Sequence, residues 1–257
     1  MFIQTDQAQL FSTAFGNPSA PALLGIGGWI GSWELWLPPF EPLSRSWFAV
    51  GFDHRGSGAT VCAPEAIRFE ALVDDVFAVM DAYGLERCVL AGESAGASVA
   101  LGAALRRPER VSGLVLVDGA YSSNSARRDS PFLKGLKHAY PQTLAAFVEA
   151  CVPEPDSAYI KRWGRQILDR ASPENAIALY EMMAEVDLRG EVHKVGQPTL
   201  VIHGDKDVIA PLEDAHFLHQ HLPNSRLLIL EGAGHVPTLT RPQAVAEAIN
   251  AFFDQTP

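Results

Sequence analysis

A chain of 257 residues, 47% hydrophobic and 19% charged, carries enough apolar material for one large core and too few charges to remain disordered. Thirty acidic residues against 20 basic ones leave a net charge of −10, which repels phosphate backbones and anionic headgroups and makes nucleic acid and membrane surfaces poor partners. The start, Met1 to Asp6, lacks the basic-then-apolar pattern of a secretory signal, no apolar run is long enough to cross a bilayer, and the odd, scattered cysteines Cys62, Cys88 and Cys151 build neither a disulfide framework nor a metal knuckle, so a reduced, cytoplasmic protein is expected.

Short apolar runs punctuate the chain. Residues 22–26 lead into a glycine-rich turn, and 47–52 end at Asp53. A helix is predicted over 69–83, where Leu72, Val76 and Met80 recur about one turn apart. The run 88–91 ends at Gly92 and passes into an alanine-rich helix over 94–107, stopped by Pro108. Runs at 111–117, 199–202 and 226–230 end at Asp118, His203 and Glu231, and a last helix over 241–253 opens with Pro242 and aligns Val245, Ile249 and Phe252. Runs this apolar, without strict alternation, suit strands buried on both faces, and their alternation with helices argues for an α/β sheet flanked by helices.

One stretch breaks the rhythm. From about 131 to 195 no buried strand appears, while helices are predicted at 143–152, 158–170 and 173–186, punctuated by Pro141, Pro153, Pro155 and Pro173. This divides the chain into a core of 1–125 and 196–257 and a helical insertion of 126–195. The insertion enters where strand ends gather, so it reads as a lid over a pocket; a helical decoration without a binding role is the alternative.

The strongest chemical signal is Gly92-Glu93-Ser94-Ala95-Gly96 between an apolar strand and a helix. A nucleophile on a sharp strand-to-helix turn needs small neighbours, because the turn brings backbones together. It also places the serine at a helix N-terminus, which favours developing negative charge. Serine attacks poorly without a base, and the base needs a third group to fix its tautomer. Among eight histidines, His235 in Gly232-Ala233-Gly234-His235 lies just past a strand and before the last helix, within reach of a serine at the same sheet edge. His203 ends a strand and reads as a hydrogen-bonding residue near the sheet, and His54 reads as part of a turn. His216, His219 and His221 have metal-like spacing without a partner to complete a set, so they read as solvated helix residues, and no metal is expected. The acid candidates are Asp205, Asp207 and Asp118. Asp207, deeper in its loop, is preferred.

In order and separation, Gly92 to Gly96, Asp53-His54-Arg55-Gly56-Ser57-Gly58, His203-Gly204-Asp205-Lys206-Asp207 and Gly232 to His235 resemble the landmarks of the α/β-hydrolase superfamily, with a weaker likeness to its enol-lactonase and small-esterase branch. The resemblance spans the first strands to the last helix and is loose only across the insertion. It implies an eight-stranded, mostly parallel sheet with a helical cap after the sixth strand, the Ser–Asp–His chain order, and Asp207 as the acid.

An acyl transfer leaves an anionic oxygen that needs two preplaced donors. Ala95 N–H is one expectation. The other is Trp29 N–H, with Gly28 as the alternative, in the loop Gly25 to Gly31, where many relatives have His-Gly and this chain has Gly27-Gly28. Trp33 is expected beside Trp29 at the pocket mouth, and Phe147, Trp163, Met182 and Met183 as an apolar ceiling; packing within the insertion is the alternative for each. The expected activity is hydrolysis of a carboxylic ester or lactone of a small, largely apolar molecule through an acyl-serine, without a cofactor. C–C bond, amide or peracid chemistry with the same three residues, or a receptor with little turnover, remain as alternatives. A serine at this position argues against dehalogenase and epoxide-hydrolase chemistry, and the Gly25–Gly31 loop lacks the third glycine of a dinucleotide fingerprint.

Overall fold

The computed structural model describes residues 1–122 and 130–254; the expected boundary between 125 and 126 lies outside them. Strands β1 (Phe2–Thr5) and β2 (Ala8–Phe15) form an antiparallel hairpin. Then come β3 (Ala22–Ile26), α1 (Leu37–Leu43), β4 (Phe48–Phe52), the two-residue β5 (Val61–Cys62), α2 (Phe69–Ala82), β6 (Cys88–Glu93), α3 (Ala95–Arg106) and β7 (Val111–Val117). Helices α4 (Pro131–His138), α5 (Tyr140–Cys151), α6 (Ala158–Leu168) and α7 (Pro173–Met183) follow, before β8 (Thr199–Gly204), α8 (Leu212–His221), β9 (Ser225–Leu230), α9 (Pro237–Thr240) and α10 (Pro242–Phe253).

Eight strands lie side by side in the order β1-β2-β4-β3-β6-β7-β8-β9, and β5 adds a short ninth beside β2. From β4 to β9 every pair is parallel. The side-chain period of two divides the core between the faces. Leu23, Ala49, Val89, Val115 and Ile202 pack with Trp36 and Phe40 and with Val245, Ile249 and Phe252 of α10. Leu24, Val50, Leu90, Leu114 and Val201 pack with Val76 and Met80 of α2 and with Val99 and Leu101 of α3. The strand at 226–230 was expected to be buried on both faces; β9 is the sheet edge, and its Ile229 is 42% exposed.

The β1–β2 hairpin, α1, the short β5, α4 and α9 lie beyond the sequence reading. The β1–β2 hairpin turns at Gln7, whose φ is 59°. Helix α4 is capped by Ser130, whose Oγ accepts from Leu133 N at 3.1 Å. The chain order reverses between β3 and β6, so the loops leaving these neighbouring strands flank a crevice at their carboxyl ends, where ligands of open α/β sheets bind. Helices α4 to α7 enter the chain between β7 and β8, above that edge.

Candidate active site

Strand β6 delivers Ser94 at the crevice. Its φ of 53° and ψ of −119° lie outside the regions open to ordinary L-residues, and the strain is held by packing. A side chain on Gly92 would strike the Gly96 carbonyl, and one on Gly96 would lie 2.5 Å from Ile26 O. The small residues around the serine are therefore required by close backbone approach. Ser94 N donates to Val117 O at 2.9 Å, and Ala120 N to Ser94 O at 3.2 Å, which ties the corner to the end of β7.

His235 arrives from the loop after β9 and is 2% exposed. Ser94 Oγ lies 2.8 Å from its Nε2, and its Nδ1 lies 2.7 Å from Asp207 Oδ2. An ionised carboxylate only accepts, so Nδ1 carries the proton and Nε2 is left to accept from the serine. The other oxygen, Asp207 Oδ1, accepts from Ile209 N at 2.7 Å and Ala210 N at 3.1 Å. Burial pushes the Asp207 carboxyl up, but the His235 contact and the two amides hold it below the ordinary carboxylate range. It is anionic at neutral pH.

The two competing aspartates have other partners. Asp205 accepts from Gly232 N at 2.6 Å and pairs with Lys206, so it bridges two loops. Asp118 accepts from Gly204 N at 2.8 Å, and burial together with the charge of Asp207 drives its carboxyl well above the ordinary carboxylate range. His203 lies between these acids with Nε2 donating to Ala210 O at 3.1 Å, and burial lowers its pKa. Asp118, His203 and Asp207 bring possible metal-ligand atoms within 4.8 Å of one another. Asp207, however, is already committed to an imidazole and two amides, and Asp118 Oδ1 to the Gly204 amide, which suits a hydrogen-bonded cluster better than a cation. On α8, His221 Nδ1 donates to Phe217 O at 2.8 Å and His219 Nδ1 lies 3.0 Å from Ser225 Oγ, ordinary local contacts.

Two narrow apolar cavities, of about 60 and 70 Å³, meet at Ser94 and His235. The first lies between the loop after β3 and the helical insertion, walled by Gly28, Leu35, Phe147, Ile160, Gly164 and Leu168 among others. The second lies beside Ala95 and is walled by Phe132, Tyr180, Met183 and Ile209. Trp29 and Phe147 border both, with ring centroids 5.4 Å apart at 84°. Trp29 Nε1 donates to Ala176 O at 2.8 Å, so the insertion anchors this ring. A side chain on Gly28 would lie 3.1 Å from Ser94 Cβ; that glycine lets the loop approach the serine.

Three expected wall residues lie elsewhere. Trp33 turns away to pack on Phe15 at 5.7 Å, because its amide is pulled 2.9 Å from Asp53 Oδ1. Trp163 joins the apolar cluster under the insertion, while α6 presents Ile160, Gly164 and Leu168, four residues apart, to the cavity. Met182 is half-buried against the main core, and the next residue, Met183, faces the site. The sequence reading missed Leu35, Ile160 and Gly164, and also the brace under the β3 loop. His54, read as a turn residue, lies 2.9 Å from Gly28 O through Nε2.

Among the described residues no helix is long and apolar enough to cross a membrane. A family model described as serine aminopeptidase, S33, matches residues 43–239. The pimeloyl-acyl-carrier-protein methyl ester esterase of Nitrosomonas europaea is 32% identical over 249 residues, covering 91% of this chain and 96% of its own. The 3-oxoadipate enol-lactonase 2 of Acinetobacter baylyi is 28% identical over 250 residues, covering 93% and 91%. The crystal structure of the enol-lactonase from Burkholderia xenovorans matches with a TM-score of 0.91 at 21% identity, over 99% of this chain and 100% of that one, a likeness of fold.

Proposed function

The chain belongs to the α/β-hydrolase family described as serine aminopeptidase, S33, and from that membership we propose that it is a serine hydrolase cleaving a carboxylic ester or lactone of a small, largely apolar substrate. The observation that carries this reading is the unbroken path from Ser94 Oγ to His235 Nε2, at 2.8 Å, and from His235 Nδ1 to Asp207 Oδ2, at 2.7 Å.

His235 takes the proton of Ser94 as the oxygen attacks the carbonyl carbon, and the imidazolium is stabilised by anionic Asp207. The tetrahedral oxyanion is held by Ala95 N–H and Trp29 N–H. The proton then passes from His235 Nε2 to the leaving alcohol, giving an acyl-Ser94. Water then attacks the acyl carbon as it loses a proton to His235, and the second tetrahedral intermediate collapses with cleavage of the bond to Ser94 Oγ, which takes the proton back from His235 as the acid leaves. The narrow apolar cavities select uncharged arms on both sides of the carbonyl. Helices α4 to α7 act as the cap over this site. The three free cysteines, two of them buried, support a reducing, cytoplasmic setting.

A fluorophosphonate probe with a panel of p-nitrophenyl esters tests the assignment. We expect stoichiometric labelling of Ser94 and sustained turnover, both abolished in Ser94→Ala without loss of fold. Normal turnover by Ser94→Ala overturns the nucleophile; labelling with a single slow turnover makes the protein a receptor.

A further inference from the structure

His54 is 3% exposed and stands just past the end of β4, behind the loop that follows β3. Both ring nitrogens face carbonyl oxygens: Nδ1 lies 2.9 Å from Arg55 O, and Nε2 2.9 Å from Gly28 O. A carbonyl oxygen only accepts, so each contact is a hydrogen bond only where the nitrogen carries a proton, and an imidazolium satisfies both. Gly28 O also accepts from Gly31 N at 2.9 Å. Its two lone pairs are therefore both engaged.

Gly28 O and Trp29 N belong to one peptide group. Amide resonance couples its two ends: density drawn towards the oxygen by two donors leaves the N–H more positive and a stronger donor. The same two bonds fix the plane of that peptide, and so the direction of the N–H. The loop is held at two further points, by Trp33 N on Asp53 Oδ1 at 2.9 Å and by Trp29 Nε1 on Ala176 O at 2.8 Å. These restrain the residues around the peptide. The peptide oxygen itself is gripped by His54 and Gly31. An imidazole thus reaches the loop after β3 from the end of the neighbouring strand β4.

We propose that His54 is a positioning residue for the oxyanion site, donating from Nε2 to Gly28 O so that the Gly28–Trp29 peptide presents an oriented, polarised N–H to the oxyanion formed at Ser94. This rests on the reading of Ser94 as nucleophile and of Trp29 N–H as oxyanion donor. The contribution appears only as negative charge develops on the substrate oxygen, so it acts on kcat and leaves ground-state binding nearly untouched.

The test uses the full chain and two variants, His54→Leu and His54→Gln, with circular dichroism and thermal melting to establish folding. Four quantities are compared: kcat and KM for p-nitrophenyl butyrate, the affinity of an alkyl trifluoromethyl ketone, which forms an oxyanion on the serine, and the affinity of the matching methyl ketone, which binds as a ground-state mimic. We expect His54→Leu to lower kcat and trifluoromethyl-ketone affinity together, by roughly 10- to 100-fold, with KM and methyl-ketone affinity within about twofold. His54→Gln, whose amide still donates, falls between it and the wild type. A folded His54→Leu with wild-type kcat and trifluoromethyl-ketone affinity overturns the proposal, as does an equal loss for both ketones. If His54→Leu does not fold, ¹⁵N NMR of the wild-type imidazole decides: a protonated Nε2 in a hydrogen bond upholds the proposal, and an unprotonated Nε2 overturns it. Ester turnover that survives Ser94→Ala would instead remove the functional reading beneath it, an outcome distinct from any effect at His54.

Discussion

At the scale of single residues, the site spends much of its chemistry on deciding which carboxyl group is charged. Asp207 is held anionic by one imidazole and two amides, whereas Glu93, next to the nucleophile and 1% exposed, is pushed by burial up to about 8, with Thr238 Oγ1 donating to it at 2.6 Å. The sign of its effect on stability follows from linkage. The unfolded carboxyl ionises near 4.5 while the folded one stays protonated, so folding loses stability as pH rises from 4.5 to about 8 and no further above that. We expect Glu93→Gln, which cannot ionise, to gain stability relative to wild type across this window, by up to a few kcal/mol at its upper end. Urea denaturation at pH 5 and at pH 8.5 measures the difference, and equal gaps at both would refute a neutral Glu93. For Asp207→Asn, we expect kcat to fall by roughly 10³- to 10⁴-fold, because the amide favours the wrong tautomer of His235; a larger loss in Asp118→Asn would move the acid to that residue.

The residues that work through backbone corners were legible because their spacing is dictated locally: Gly92 and Gly96 betray the corner that bears Ser94, and Gly232 to Gly234 the loop that bears His235. Trp33, Trp163 and Met182 were not. Trp163 and Met182 each sit one residue from a position that lines a cavity, Gly164 and Met183, and Trp33 sits two from Leu35; a single step along a helix rotates a side chain by about 100°, which a one-dimensional pattern does not resolve. His54 escaped for another reason: its partner, Gly28, is 26 residues away, and only the neighbouring of β3 and β4 brings them together.

At the scale of elements, α6 sets the depth of the first cavity. Gly164 lies in mid-helix on its inner side, and a Cβ there would meet no atom within 4 Å. Alanine at this position should fit without strain and stabilise the protein by up to about 1 kcal/mol through helix propensity. Leucine should occupy the cavity. We expect Gly164→Leu to lower the ratio of kcat/KM for p-nitrophenyl hexanoate over the acetate by roughly tenfold, since each displaced methylene carries on the order of 1 kcal/mol. An unchanged chain-length profile would show that no substrate arm occupies that cavity. The helices of the insertion were visible from their prolines and apolar stripes, but α4 was not. It is short, and its start is marked by the single capping residue Ser130. The β1–β2 hairpin was equally quiet, its alternation of Ala8, Leu10 and Ser12 interrupted by a serine at a buried position that hydrogen-bonds Tyr83 at 3.2 Å.

At the scale of the whole molecule, one buried ion pair ties the loop after β4 to α2 and, through Asp6 O, to the turn of the N-terminal hairpin. Arg55 Nε lies 2.7 Å from Asp75 Oδ2, and its second nitrogen lies 3.0 Å from Oδ1, with Asp6 O and Ala66 O as further acceptors. Both side chains are at most 3% exposed. Removing one partner strands the other in a low-dielectric interior, so Arg55→Leu should cost about 3 to 5 kcal/mol, and the double variant Arg55→Leu/Asp75→Leu should recover most of that. Denaturant titrations of the three proteins check this, and a double variant as unstable as the single one would count against the stranded charge as the cause.

The joint between insertion and sheet carries a consequence of its own. Gly234 N donates to Glu154 Oε1 and His235 N to Cys151 O, each at 2.9 Å, and Arg170 pairs with Glu34 across the same seam. The strip of chain joining α5 to α6 is thus stitched to the very peptide units that aim the imidazole. Anyone grafting a foreign roof onto this scaffold to change its substrate inherits an obligation: residues 151 to 154 must travel with the base they steady, or the transplant will arrive with a good pocket and a wandering histidine.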